Sequence, residues 1–444
     1  MALTNGGHAL VLGGSIAGLL AARVLAEHYT SVTIVERDRL PSSADHRQGV
    51  PHGQHVHGML PGGLEIIENL LPGFADQMTS AGALTGDILG NARWYLNGRP
   101  LRRAVTGLTA LSASRPLIEA TLRGRVRALP NVTVRDGLDI TGLCTSAGGD
   151  RITGATVTDR ADGKAWALSA GLVVDATGRG SRTPRWLADL GYAPPPSDRV
   201  GIDLAYTSCV FTAADEFFDG DIVIVTARFP GQRTSSVMQR LEGGRVLLTL
   251  AGVLGERPPS TLDGFAAYAR TLATPDTAEM LRVAEPIGAP ATFRFPTYER
   301  HRYELLDRFP AGLLVAGDAA CAFNPVYGQG MAVAAMEAAA LSEELHRGGE
   351  PDRVRYFAAV GRALEAPWRL AVGADLALPE VTGPSLPDSP LTGEYLGRLQ
   401  LAATEDAELA TALIRVMGLV DPPPMLLRPD VVERVMAAPV GTGG

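Results

Sequence analysis

The sequence predicts an α/β chain, α+β overall, with three parts. These are a Rossmann-like three-layer lobe, an antiparallel-sheet lobe set into it, and a helical C-terminal segment. Three observations carry this reading. Residues 8–36 run as apolar strand, glycine turn, small-residue helix and β-branched strand, the βαβ pattern of a parallel sheet. Residues 312–346 repeat the move, an apolar strand passing through a glycine loop into an alanine-rich helix. Between them, residues 201–253 read as successive strands broken by Gly/Asp turns, hence antiparallel. At 444 residues the chain exceeds one ordinary core, so two lobes are expected.

The elements follow in order. HALVLG (8–13) is a short buried strand, 15–28 a helix, and SVTIVE (31–36) a second strand. Residues 39–63 are Pro/Gly/His-rich and irregular, while 63–71 and 113–128 have helical spacing. Residues 132–160 alternate as strands around a hairpin near Gly148-Gly149-Asp150, and LVVDATG (172–178) is a strand entering a glycine turn. After Pro194-Pro195-Pro196 come strands at 201–212, 221–229, 234–241 and 245–253, then a helix at 261–273. GLLVAGDAA (312–320) returns to a parallel-type strand, and a helix runs from about Gly330 to His346. Beyond Pro379, proline-rich links separate helices at 404–418 and 429–437. The expected domains are 1–190 with 297–375, then 191–296, then 376–444.

Composition narrows the function classes. Hydrophobic residues make up 46% and charged residues 20%, so the chain buries a core and is not disordered. A net charge of −8 without a Lys/Arg block argues against nucleic acid. Cys144, Cys209 and Cys321 lie far apart, which gives neither a disulfide framework nor a metal knuckle and fits a reducing cytoplasm. Residues 9–22 are apolar, but no Lys or Arg precedes them and Arg23 ends the run short of a span. Neither a signal peptide nor an integral membrane segment is expected.

The turn Gly13-Gly14-Ser15-Ile16-Ala17-Gly18 is a dinucleotide fingerprint with serine at its middle glycine. Gly13 permits the tight turn, Gly18 lets helix and sheet pack closely, and the helix start meets a pyrophosphate. Serine is the next smallest polar choice and donates a hydrogen bond. Glu36, at the end of the second strand, suits a ribose hydroxyl and disfavours a 2′-phosphate. Taken alone, the stretch fits NAD, FAD or a bare turn. In GLLVAGDAACAFNPVYGQGM (312–331), Asp318 at a strand end suits a ribityl hydroxyl. The backbone amides around Gly328, Gly330 and Met331, at a helix start after Pro325, suit negative charge on a flat ring.

GGSIAG, VVDATGRGSR (173–182) and GDAACAFNPVYGQGM together resemble the three-part signature of FAD-dependent monooxygenases of the para-hydroxybenzoate hydroxylase fold. The resemblance covers most of residues 8–345. It implies FAD held by Gly13 to Gly18, Glu36, Arg37, Arg47, Gln48, Arg115, Asp175, Asp318, Pro325, Gly328, Gly330 and Met331. Asp175-Ala176 departs from the family's Asp-Gly, the glycine being displaced to Gly178. This leaves two routes of reduction open, NAD(P)H acting directly or through a separate flavin reductase. With RQGVPHGQHVHGML (47–60), the chain is more similar to bacterial flavin epoxidases of polyether and other natural-product pathways. The tryptophan halogenases' W-x-W-x-I-P motif is absent, Trp94, Trp166, Trp186 and Trp368 being isolated.

The implied reaction inserts one oxygen atom of O2, by way of a flavin C4a-hydroperoxide, into an alkene of an apolar intermediate. The alternatives are a phenol hydroxylase and, from another class, a reductase of the geranylgeranyl reductase type. Alkene epoxidation needs no protein base, whereas phenol hydroxylation is helped by one. The candidates for proton transfer are His55, His57 and Tyr327. His46, His52, His55 and His57 lack a carboxylate or cysteine at ligand spacing, so no metal is expected there. Tyr206, Phe211, Phe229, Met238, Phe293 and Phe295 are the expected apolar lining of a substrate pocket.

Overall fold

A computed structural model describes residues 7–212, 215–229 and 231–438. Among the described residues, five parallel strands form the first sheet, in the order Leu313–Val315, Leu172–Asp175, His8–Leu12, Ser31–Glu36, Val132–Asp136. The central strand is buried from Ala9 to Leu12, as its unbroken apolar run requires. Helix Ile16–Leu25 packs on one face with helix Gly330–His346 beside it. An antiparallel meander, Leu138–Thr145, Ile152–Asp159 and Ala165–Ser169, packs on the sheet and makes the third layer.

The second sheet holds eight strands among the described residues. Its order is Cys321–Ala322, Pro286–His301, Ser197–Thr212, Arg245–Gly252, Thr234–Leu241, Val223–Thr226, Ala92–Leu96 and Arg99–Pro100. It is antiparallel except where Val223–Thr226 runs parallel to Ala92–Leu96. The expected strand at 221–229 is therefore shorter, and two strands come from a segment long before it in sequence. Pro286–His301 is a 16-residue strand that the pattern concealed. Its prolines argue against a central strand, and it is an edge for most of its length, paired on its other side only at Glu299 and Arg300.

Other differences have local causes. The helix expected over 261–273 is a turn at Leu262–Gly264 followed by the short helix Phe265–Ala269, and a further helix, Asp276–Met280, lies beyond it. Helix Arg353–Leu376 was hidden by Pro367 in its interior, a residue that ordinarily ends a helix. The C-terminal helices are Gly393–Ala402, Ala407–Met417 and Pro429–Ala437. They share a separate apolar core with Ile88, Leu89, Leu96 and Leu101. Among the described residues, no helix is long and apolar enough to cross a membrane.

Gly13 and Gly18 fix the first crossover. Gly13 has φ +103°, and a Cβ there would stand 2.3 Å from the Ala176 carbonyl oxygen. A Cβ at Gly18 would stand 1.9 Å from the Gly13 carbonyl oxygen. Gly124, inside helix Arg115–Arg127, has nothing within 4 Å of its Cβ direction. Urea unfolding should therefore separate the two positions. Gly18→Ala should cost roughly 1–3 kcal/mol by overpacking, whereas Gly124→Ala should gain about 0.5–1 kcal/mol by removing chain entropy.

Candidate cofactor-binding site

The turn after the first strand is held by backbone and carboxylate. The Gly13 N–H donates to the Val35 carbonyl at 2.8 Å. Glu36 accepts from the Gly14 N–H at 2.8 Å and the Asp38 N–H at 2.9 Å. Ser15 is the N-cap residue of helix Ile16–Leu25, yet its side chain does not cap. Its hydroxyl accepts from Arg115 Nη2 at 2.9 Å and donates to Glu119 Oε2 at 3.3 Å. The first-turn amides thus have no side-chain acceptor among the described residues, and the positive helix end stays open to an anion.

Three arginines converge behind this turn. Arg47 reaches Glu119 Oε1 at 2.7 Å, Asp38 Oδ2 at 2.9 Å and Glu36 Oε1 at 3.3 Å. Arg115 and Arg123 approach Glu119 at 3.1 and 3.4 Å. Burial opposes ionisation of Glu119, but Arg115, Arg47 and Arg123 outweigh it and hold the carboxyl below its ordinary range. Arg115 Nη1 is buried and ion-paired with Glu119 Oε2 at 3.1 Å, outside hydrogen-bond geometry. An N–H of this kind suits an incoming phosphate oxygen.

The last motif joins the first directly. Gly317 has φ +67°, and a Cβ there would lie 2.6 Å from Ala17 Cβ. The next residue, Asp318, has a carboxylate with no hydrogen-bond partner among the described residues. Burial raises its pKa, opposed by Arg179 and Arg115. Glu337 Oε2 accepts from the Gly317 N–H at 2.5 Å. Burial pushes Glu337 up to about 8, with Asp318 adding to the rise and the Gly317 bond opposing it. Glu337 is therefore a neutral acid at pH 7.

The loop from Asn324 to Gln329 is pinned by a residue far along the chain. Asp375, fully buried, accepts from Tyr327 Oη at 2.6 Å, Tyr298 Oη at 2.7 Å and Asn324 Nδ2 at 2.9 Å, and it pairs with Arg228. Arg228 also donates to Tyr327 Oη at 2.8 Å. The Tyr327 hydroxyl is thus occupied as both donor and acceptor, which leaves it no place as a free base. Pro325 opens the turn, Gly328 takes φ +66°, and helix Gly330–His346 begins with Met331 buried. Gln329 gives this helix no side-chain cap, so its first-turn amides form a second open anion site.

The histidine loop lies against the second sheet. His57 Nδ1 is 2.9 Å from the His55 carbonyl, which only accepts, so Nδ1 carries the proton and Nε2 the lone pair. His55 Nδ1 meets Ser208 Oγ at 2.7 Å, and Ser208 meets Thr249 Oγ1 at 2.6 Å. Thr249 already accepts the Val56 N–H at 3.1 Å. His55, Ser208 and Thr249 thus form one hydrogen-bonded chain in which His55 Nε2 is the ring nitrogen left over. Burial brings His55 to about 4, with His46 adding, and His52 to about 3, with Arg115 and His55 adding. His57 falls well below its ordinary value through burial, then His52 and Arg115. All three are neutral at pH 7.

The rings of His55 and Tyr206 lie 5.6 Å apart, and those of His55 and Phe293 5.7 Å. The Arg179 guanidinium sits 3.9 Å over the Phe295 ring. The Tyr206 hydroxyl is buried without a hydrogen bond among the described residues. The expected lining divides here. Phe211 and Met238 belong to a separate core with Phe218 and Phe265, and Phe229 packs near Gly98. Phe211 and Met238 lie elsewhere because successive residues of a strand face opposite sides.

Among the other sequence-derived residues, Asp175 has no exposure and accepts from Thr177 N and Oγ1, Ser181 Oγ and Thr183 Oγ1. It shapes its own turn. Arg37 and Gln48 are exposed, the Arg37 carbonyl accepting from Arg160. Sequence reasoning missed Glu119, Arg123, Asp38, Arg179, Arg228, Asn324, Glu337 and Asp375. Glu119 had a signal, four residues after Arg115 on one helix face. Asp375 had none.

No family model matches the chain. Protein Rv3254 of Mycobacterium tuberculosis (strain ATCC 25618 / H37Rv) is 33% identical over 456 aligned residues, covering 97% of this chain and 93% of that protein. Among solved structures, the flavin-dependent brominase Bmp2 superposes with TM-score 0.67 at 14% identity, over 97% of this chain and 99% of that one. A flavoprotein/dehydrogenase from Cytophaga hutchinsonii gives 0.68 at 15%, over 96% of each chain. The tetrameric 2-methyl-3-hydroxypyridine-5-carboxylic acid oxygenase gives 0.60 at 18%, over 93% of this chain and 97% of that one.

Two stability measurements test the buried charges. Asp375→Ala leaves Arg228 desolvated without its counter-ion and should cost about 3–5 kcal/mol. Tyr327→Phe should cost only about 1 kcal/mol. Above the ordinary histidine value of 6.5 the buried His52, His55 and His57 no longer add a slope, and Glu337 makes a pH dependence of the opposite sign to theirs. The folded chain keeps the Glu337 proton up to about pH 8, whereas the unfolded chain releases it above the ordinary 4.5. The unfolded state binds fewer protons across that window. The stability is therefore fully present below 4.5 and is lost as pH rises through 8, at no more than about 1.4 kcal/mol per pH unit. Urea midpoints between pH 6.5 and 8 should fall less steeply in Glu337→Gln.

Proposed function

The chain belongs to the family of the mycobacterial protein Rv3254 and has the fold of FAD-dependent monooxygenases and halogenases, and from that premise we propose that it is an FAD-dependent monooxygenase. In this reading it transfers one oxygen atom of O2 to an apolar small molecule, epoxidising an alkene of a natural-product intermediate. The observation that carries it is the contact of the uncapped start of helix Ile16–Leu25, through Ala17, with the Gly317 turn, whose next residue Asp318 has no hydrogen-bond partner among the described residues.

The residues fit FAD along its length. The start of helix Ile16–Leu25 and Arg115 would take the pyrophosphate, and Glu36 a ribose hydroxyl. Asp318 would take ribityl hydroxyls, and the start of helix Gly330–His346 the negative charge of a reduced ring. When bound, FAD supplies the redox chemistry and the activation of dioxygen, with electrons from NAD(P)H directly or through a separate reductase. The chain's own work is to bind, orient and exclude water. Tyr206, Phe293 and Phe295 would offer the substrate an apolar wall. The Tyr206 hydroxyl and His55 Nε2 would orient a polar substituent.

The polar groups favour epoxidation over phenol hydroxylation. Tyr327 is occupied by Asp375 and Arg228, and the buried histidines are weak bases. An alkene asks for no deprotonation; a phenol does. The oxygenase of a hydroxypyridine carboxylic acid among the structural neighbours keeps aromatic hydroxylation as the second reading.

Asp318→Ala should weaken FAD binding about tenfold or more, the loss of charge-assisted hydrogen bonds. The ratio of flavin absorbance to protein in the purified variant reads this out, and unchanged occupancy removes Asp318 from the site. Mass spectrometry of products formed under labelled dioxygen from polyene and phenolic substrates decides the reaction. Turnover without dioxygen would falsify the oxygenase reading.

A further inference from the structure

We propose that Glu27, His28 and His346 form a binding site for a transition-metal dication, with Zn2+ the best match. The site lies away from the cofactor residues and does not depend on the proposed reaction. One ligand atom from each residue lies within 4.8 Å of the others. The two imidazole rings meet edge to face with centroids 4.8 Å apart. The three residues come from opposite ends of the chain, so no sequence spacing announced them.

Their orientation suits a metal. His346 Nδ1 lies 2.7 Å from the Ser342 carbonyl, one helical turn back. A carbonyl only accepts, so Nδ1 carries the proton and Nε2 presents its lone pair. This is the backbone contact that orients metal-bound histidines. His28 is buried and its ring meets that of His346 edge to face. Glu27 is exposed and paired with Arg23 at 2.7 Å. Exposed pairs of that kind contribute little, so a dication can draw the carboxylate over.

The surroundings favour a cation. Helix Ile16–Leu25 ends just before Glu27, and helix Gly330–His346 ends at His346. The carbonyl ends of two helices therefore converge where the charge would sit. Two imidazoles and one carboxylate select Zn2+ over Ca2+ or Mg2+, which prefer all-oxygen shells, and water completes the coordination. These are the two helices whose opposite ends were assigned above to the cofactor. A metal here would clip their far ends together.

The test uses the full chain, stripped with a chelator and titrated with ZnCl2 by calorimetry, with Co2+ absorption as a second readout. The expected result is one Zn2+ per chain, a raised Tm on saturation, and visible Co2+ bands. His346→Ala and Glu27→Gln change exposed residues. Both should keep the wild-type circular dichroism and flavin content while binding Zn2+ at least ~10-fold more weakly. Absence of stoichiometric binding in the wild type overturns the proposal. Equal binding by His346→Ala overturns it too, by pointing to the histidine loop. One Zn2+ per two chains with dimerisation overturns the intrachain clip. None of these outcomes depends on the protein being an oxygenase.

Discussion

The site depends on one close approach, the backbone of Gly317 against Ala17. No side chain fits between them: a Cβ on Gly317 would come within 2.6 Å of Ala17 Cβ. Because they touch, the start of helix Ile16–Leu25 lies against the turn that carries Asp318, and helix Gly330–His346 binds the same turn through Glu337 and the Gly317 N–H. Each first turn is left without a side-chain cap. An uncapped start has amides without partners, which is costly unless water or a ligand meets them. The first of these starts lies beside the Asp318 turn through Ala17 and Gly317. Gly13 and Gly18 do the same work one step earlier, by letting the first helix lie close on its sheet.

The buried acids around this turn are handled in three ways. Glu119, Asp175 and Asp375 each collect several donors, and Glu119 is held ionised by Arg115, Arg47 and Arg123. Glu337 is left with one backbone donor and keeps its proton instead. Asp318 belongs to neither group. It has no donor among the described residues, and burial raises its pKa. Asp318 is half-buried, so its carboxylate keeps some access to solvent while lacking a protein donor. A molecule bringing hydroxyl groups to Asp318 would supply that donor. In physical terms, this is the argument for a ribityl chain there.

How much of this was legible in the sequence depended on range. The glycine turn, Glu36, Arg115 and Asp318 were legible because each sits where a strand ends or a helix starts, and local pattern marks such places. Ser15 was read as no bar to a phosphate turn, and its partners were not visible. Its hydroxyl serves Arg115 and Glu119 from another helix, a contact made only by tertiary packing. Asp375 was invisible because Pro367 disguised its helix and its partners come from three distant segments. Strand Pro286–His301 was missed because an edge strand tolerates the prolines that argue against a strand. The expected lining included Phe211 and Met238, which strand alternation sends to the other face, and Phe229, which lies beyond strand Val223–Thr226.

The face that is left is informative about chemistry. Along the sheet, His55, Tyr206 and Phe293 lie together, with Arg179 stacked on Phe295. Its histidines are desolvated and neutral, and the tyrosine nearest the cofactor loop is saturated with hydrogen bonds. Such a surface offers apolar contact and only weak bases. A reaction supported here must draw its driving force from what is bound and not from an acid or base on the wall. Electrophilic attack on an alkene meets that condition. Deprotonation of a phenol would require a base that these residues, buried and committed as they are, do not supply.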